Sequence, residues 1–321
     1  MKKIIILLAL YLGLVSLNIG IFSLTYAAEP SFIFADVKSG QAILTANDNY
    51  FNRMSQAEIA IRSQSTTADK TPHDLMNQYQ ENVLEWTEAE KKHITALVAN
   101  NHEKLNTINH LLPEQVIFIK VTNLVEGGLP HTRANAIILP QTDKPLSEKL
   151  FFHELFHVLS RTQKQRHASL YGLIGFKACA FTANDHIRTI SLTNPDVPAE
   201  AYYLAVDIDG KPSAILPFAH ITRPAYDPKV KGGFAGHFGF GLLKIHLDKG
   251  KCRPATTPHD QKIILSPAKV PDFFAATGRN TGYIIHPEEV LAENFVFALS
   301  GKKDLPNPEI PARLKLWLEK K

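Results

Sequence analysis

Residues 151–162 read FFHELFHVLSRT, which places His153 and His157 four positions apart with Glu154 directly after the first. On a helix, side chains four apart share a face, so both imidazoles can meet one ion. This set suits hydrolysis: two neutral imidazoles hold Zn2+, and Glu154 takes a proton from a water whose pKa the metal lowers to about 7. The neighbours Phe151, Phe152, Leu155, Phe156, Val158 and Leu159 would bury the helix in a low-dielectric surround. The plainer alternative is an ordinary core helix that carries two histidines, so a third ligand decides between them.

A metzincin continuation needs glycine at 160 and histidine at 163; Ser160 and Gln163 stand there, which excludes it. The run HPEEVLAENFVFAL, residues 286–299, is instead an amphipathic helix pattern with Pro287 in its first turn and Glu289 and Glu293 four apart. One carboxylate can complete a coordination set, and the other can accept a hydrogen bond from the free ring nitrogen of a ligand histidine. Acidic residues also favour an ordinary helix N-terminus, and only the upstream histidine pair tips the reading toward ligands. Glu288 is an alternative third ligand, but Ala292, four residues on, has no group to support a histidine.

Taken together, the two segments resemble the gluzincin zinc metallopeptidases, whose HExxH motif is followed on a later helix by glutamate and, four residues on, an acidic residue. The resemblance implies His153, His157 and Glu289 as zinc ligands, Glu154 as general base and Glu293 as the acid behind a ligand histidine. It covers two helices, and it departs from the family where Glu293 replaces an aspartate and where 289 − 157 = 132 residues separate the ligands, a gap that implies an inserted lobe. The phrases TRANAIILP, LYGLIGF and IIHPEEVLAENF are also similar to uncharacterised secreted bacterial zincin-like proteins.

Amide hydrolysis needs a donor for the developing oxyanion. Tyr283 and His237 are the candidates, with Tyr226, His220 and Arg223 behind them, while His286 is placed to cap its helix. In the enzymes it resembles, an extended substrate pairs with a strand edge above the metal; ANAIILP is placed to be that strand, with His131 and Arg133 lining the cleft.

These residues need a scaffold, and the chain is long enough to supply one. Its 321 residues, 45% hydrophobic and 21% charged, bury a sizeable core and exclude a disordered chain. A net charge of +4 without a basic block or aromatic-interleaved basic stripe gives no nucleic-acid footprint. Residues 1–27 read as a secretory signal peptide, or as an N-terminal anchor if uncleaved, so the expected location is secreted or periplasmic, with membrane contact only through that segment. Cys179 and Cys252 can pair in such a compartment, or lie apart as separate thiols.

Residues 28–70 read as an N-terminal segment and linker, and 71–321 as one domain with an inserted lobe at about 170–285. Helices are predicted over Pro72–Leu84, Glu88–Leu111, Pro287–Ser300 and Pro311–Lys320, strands over QVIFIKVTN and ANAIILP, and a hairpin over 202–217 turning at Asp209-Gly210. KGGFAGHFGFG lacks the lysine and serine of a phosphate loop and reads as a flap or strand bend. The expected fold is α+β and zincin-like, the HExxH helix beneath a mixed or antiparallel sheet. The expected substrate is a peptide or protein; a cell-wall amide, or binding without turnover, are the alternatives.

Overall fold

The computed structural model describes residues 29–46, 48–255 and 263–320. The expected export signal at 1–27 lies outside them, and no described helix is long and apolar enough to cross a membrane.

The architecture is α+β, with two sheets and a pair of central helices. The first sheet comprises β1 (Ser31–Phe34), β2 (Val83–Leu84), β3 (Gln115–Val121), β4 (His131–Arg133) and β5 (Ala136–Pro140), in the order β1-β3-β5-β4 with β2 on the end of β3. β1, β3 and β5 run parallel, and β4 returns antiparallel along the edge. Parallel strands are covered on both faces, which explains the unbroken apolar runs VIFI and AIIL. ANAIILP is therefore not the sheet edge: β5 is enclosed by β3 and β4, and the short polar β4 takes the outer position.

The helices are α1 (Val37–Leu44), α2 (Gln56–Arg62), α3 (Pro72–Glu81), α4 (Glu88–Asn100), α5 (His102–Asn106), α6 (Glu148–Thr162), α7 (His167–Gly172), α8 (Asp185–Ile190), α9 (Pro271–Thr277), α10 (Pro287–Ser300) and α11 (Glu309–Leu318). Thr87 and Glu90 close the predicted capping box of α4. The helix predicted to continue to Leu111 breaks at Asn101, whose side chain bonds back to the Leu97 carbonyl at 3.0 Å and competes with the helical ladder.

The second sheet holds β6 (Lys177–Phe181), β7 (Ala201–Ile208), β8 (Lys211–Ile221), β9 (Phe238–Asp248), β10 (Lys251–Pro254) and β11 (Ile264–Leu265). Because β10 pairs with both β6 and β9, this sheet closes on itself. Asp209 and Gly210 turn the β7–β8 hairpin with φ of 54° and 75°, so the DxDG there is a turn and not a cation loop. Cys179 and Cys252 form a disulfide between β6 and β10, closing a separation of 73 residues. A loop of that length is worth about 4 kcal/mol in the chain-entropy account.

α6 packs on β4 and β5 of the first sheet, and α10 packs on α6. One core joins Phe118 and Ile137 of the first sheet, Phe156 of α6, Phe295 of α10, and Leu204 and Ile215 of the second sheet. Each such side chain contributes roughly 1.5–3 kcal/mol on burial. The second lobe thus shares its core with the central helices. Residues 31–62 also pack into the fold. β1 pairs in register with β3, Ser31 opposite Gln115, and α2 buries Glu58 and Arg62; only the polar stretch after α2 is a turn-rich connector.

Candidate metal centre

α6 starts at Ser147, whose side chain accepts the Leu150 amide, and its residues 151 to 160 are all buried. α10 starts at His286, whose Nδ1 accepts the Glu288 amide at 3.1 Å, with Pro287 in its first turn. Burial pushes the His286 imidazole down to about 4, which keeps that nitrogen free to accept. His286 is thus the helix cap the sequence suggests. At the other end Gly301, at φ 64°, stops α10 in the left-handed region.

The two helices bring His153, His157 and Glu289 together. Nε2 of His153 and Nε2 of His157 are 3.3 Å apart, and Oε2 of Glu289 lies 3.3 Å from the first and 3.4 Å from the second. Ligand bonds of about 2.0–2.1 Å in a tetrahedral site put donor atoms about 3.3–3.4 Å apart, so the triangle has the size of one face of such a site. Oε2 of Glu289 is buried and has no hydrogen-bond partner. A buried carboxylate oxygen without a donor is costly, and a cation offsets that cost. The donor set therefore fits a divalent ion of the zinc type.

Three carboxylates stand around this triangle. Glu288 Oε1 accepts from His157 Nδ1 at 2.9 Å, and its Oε2 accepts from Ser160 Oγ at 2.8 Å and from the Tyr171 hydroxyl at 2.6 Å. Glu288 is therefore not an alternative ligand but the acid that orients His157. Glu293 Oε1 lies 3.2 Å from His153 Nδ1 without hydrogen-bond alignment, and its Oε2 pairs with Lys149 at 2.9 Å. Burial opposes charge on His153, but Glu289 and then Glu293 outweigh it and raise the imidazole to about 9. Glu154 is buried and accepts from Thr132 Oγ1 at 3.2 Å. Desolvation first, and then the neighbouring Asp196, lift its carboxyl to about 8.

Asp196 and Asn194 were not legible as site residues. Asn194 Nδ2 donates to Glu289 Oε1 at 2.7 Å, leaving Oε2 to face the histidines. Asp196 Oδ1 accepts from the Thr132 amide at 2.5 Å, on the side of β4 that faces away from β5. Arg161 donates to the carbonyls of Thr132 and Pro195. The outward backbone groups of β4 at Thr132 are thus already taken. The signal that could have pointed here is only the dense polar tetrapeptide TNPD, a common loop composition.

A cavity of about 650 Å³ opens beside the triangle, lined among others by His153, Glu154, Tyr283, Leu192, Phe238 and Phe240. A second cavity of about 1200 Å³ shares Pro130, Ser147 and Leu150 with it. The Tyr283 ring lies 5.9 Å from the His153 ring; the residue is 43% exposed, yet desolvation, then Glu289 and Asp196, hold its phenol above its ordinary value. His131 lines the same cavity, and desolvation pushes it down to about 3. Its Nδ1 donates to the Leu129 carbonyl at 3.1 Å, leaving a buried, unpartnered Nε2.

The other expected residues are elsewhere. His237, proposed from sequence as an oxyanion donor, spends both ring nitrogens on its own loop: Nδ1 donates to the Gly233 carbonyl at 3.0 Å and Nε2 accepts the Asp227 amide at 2.8 Å. Tyr226 stacks on it, and neither these two nor His220 and Arg223 line the cavity. Arg133 points away into an ion pair with Asp48 at 2.9 Å. No family model matches the chain, and no curated protein or solved structure matches it.

Proposed function

We propose that the protein is a zinc-dependent hydrolase of peptide bonds, of zincin type, acting outside the cytoplasm. The observation that carries this reading is the triangle of His153, His157 and Glu289, with edges of 3.3, 3.3 and 3.4 Å and an otherwise unpartnered Glu289 Oε2. His153, His157 and Glu289 would hold the zinc, with Glu288 and Glu293 behind the histidines. Zinc bound there supplies a Lewis acid and acidifies water. Glu154 would take the proton of the attacking water as its carboxylate and pass it to the leaving amine. The phenol of Tyr283 donates to the oxyanion as it develops.

The two cavities share Pro130, Ser147 and Leu150, which favours an extended substrate, and Thr132 offers it no free backbone edge. The Cys179–Cys252 disulfide favours export to an oxidising compartment, in keeping with the N-terminal pattern. The test is elemental analysis beside cleavage of a quenched peptide library. One zinc per chain, lost in Glu289→Ala, with cleavage abolished and zinc kept in Glu154→Gln, is the expected result. A folded protein that takes up no zinc on reconstitution refutes the reading.

A further inference from the structure

Irregular backbone that leaves the solvent needs a partner for each amide and carbonyl. The segment Thr193–Asp196, without regular structure beyond a turn, is part-buried against the metal centre, and Thr193 and Pro195 find backbone partners in side chains from remote parts of the chain. Glu58, on α2, accepts the Thr193 amide at 2.8 Å through Oε1 and the Thr193 hydroxyl at 3.1 Å through Oε2. Arg62, one turn on, donates to the Thr193 carbonyl and pairs with Glu58 at 2.8 Å. Arg62 also pairs with Glu126, whose other oxygen accepts from the hydroxyls of Tyr50 at 2.6 Å and Tyr79 at 2.8 Å. Every charged group in this chain of contacts is buried.

The rigid end of the network reaches the metal centre in one step. Asn194 follows directly on the clamped Thr193, and its amide donates to Glu289 Oε1 at 2.7 Å. Its carbonyl oxygen is taken by the Asp196 amide at 2.9 Å, which sets the amide group with its nitrogen toward Glu289. A carboxylate pinned through one oxygen presents the other alone, so Glu289 faces the histidines as a one-oxygen donor.

We propose that Asn194, clamped by Glu58 and Arg62 of the N-terminal helix α2, is a positioning residue that fixes Glu289 for metal binding. The proposal rests on the metal-site reading above. It makes the N-terminal segment a support of the metal centre, since the clamp originates in α2.

The experiment measures the zinc dissociation constant of the whole protein by chelator competition and the visible absorption of its cobalt form. Asn194→Ala is expected to weaken zinc by about 10- to 100-fold, as losses of groups that orient ligands do, and to change the cobalt spectrum. Glu58→Ala is expected to weaken zinc in the same way, while Glu58→Gln, which keeps an acceptor for the Thr193 amide, stays close to the parent. Adding Glu58→Ala to Asn194→Ala is expected to weaken zinc no further, because both act through one contact; a purely structural role gives additive losses. If Glu58→Ala does not fold, Asn194→Ala alone decides. An Asn194→Ala protein with the parental zinc constant and cobalt spectrum overturns the proposal and leaves the metal site standing, as does additivity in the double variant. A parent that binds no zinc overturns both.

Discussion

The two histidines stand one helical turn apart, yet their surroundings differ. His157, at the inner end, is fully buried, and Glu288 holds its Nδ1 at 2.9 Å while being held itself by Ser160 and Tyr171. His153, at the rim, lines the open cavity, and its acid Glu293 sits at 3.2 Å, poorly aligned and paired to Lys149, which is 61% exposed. At the inner end His157 Nδ1 and both Glu288 oxygens are fixed by buried partners. The rim end is held by charges that solvent screens. On the proposed zinc reading, this contrast divides the labour: His157 would define where the ion sits, and His153 would adjust as substrate enters beside it.

The largest blow to this contrast is Glu288→Ala. It strips partners from His157, Ser160 and Tyr171 together, so it should destabilise the protein by about 3–5 kcal/mol, as the loss of one partner of a buried charged network does. Chemical denaturation of the metal-free protein measures this. Zinc affinity should fall alongside by about 100-fold.

Acidity offers a second lever, applied through the rim. His153 in the metal-free protein is raised from 6.5 to about 9, so its charged contacts stabilise that form fully below about 6.5, and this stabilisation is lost as pH rises through 9. Zinc needs the neutral imidazole, so the sign for binding is opposite: affinity should rise by at least about tenfold per pH unit toward 9, and His157, raised in the same direction, adds to that slope. A pH series of chelator competitions checks the slope; a flat profile would show that the charges around His153 do not hold it.

Substitutions at the rim sharpen the comparison by their smaller size. Glu293→Ala should weaken zinc by about 10-fold, the low end for a group behind a ligand. Lys149→Ala should change stability by less than about 1 kcal/mol, as exposed ion pairs do, and salt should mask what effect there is. Equal effects of Glu288→Ala and Glu293→Ala would erase the difference between the ends.

Much of the site was legible because its signals are local. The pair His153 and His157 lies on one turn, and helical geometry alone puts Glu154 beside them. Pro287, His286 and Gly301 mark the start and stop of α10 by backbone chemistry that involves no distant residue. The same holds for the Thr87–Glu90 capping box and the Asp209-Gly210 turn. Readings that failed or fell short depended on strand neighbours or on hydrogen-bond partners. ANAIILP looks like any half-buried strand, and its enclosure between β3 and β4 follows from topology. His237 is an unremarkable histidine until Gly233 and Asp227 are seen to consume its nitrogens.

What the sequence by itself determined, then, was the α+β composition, the helices that carry His153, His157 and Glu289, and the chemistry those side chains can do. Which carboxylate supports which histidine was decided only by the packing of α10 on α6, because a one-residue step from Glu288 to Glu289 turns a helix by about 100° and sends the two carboxylates to different nitrogens. Tertiary structure alone also brought Glu58, Arg62, Asn194 and Asp196 to the centre. Glu58 and Arg62 share one helical turn, but no spacing links them to Asn194 and Asp196, and their meeting depends on a part-buried loop satisfying its backbone with side chains from α2 and α6.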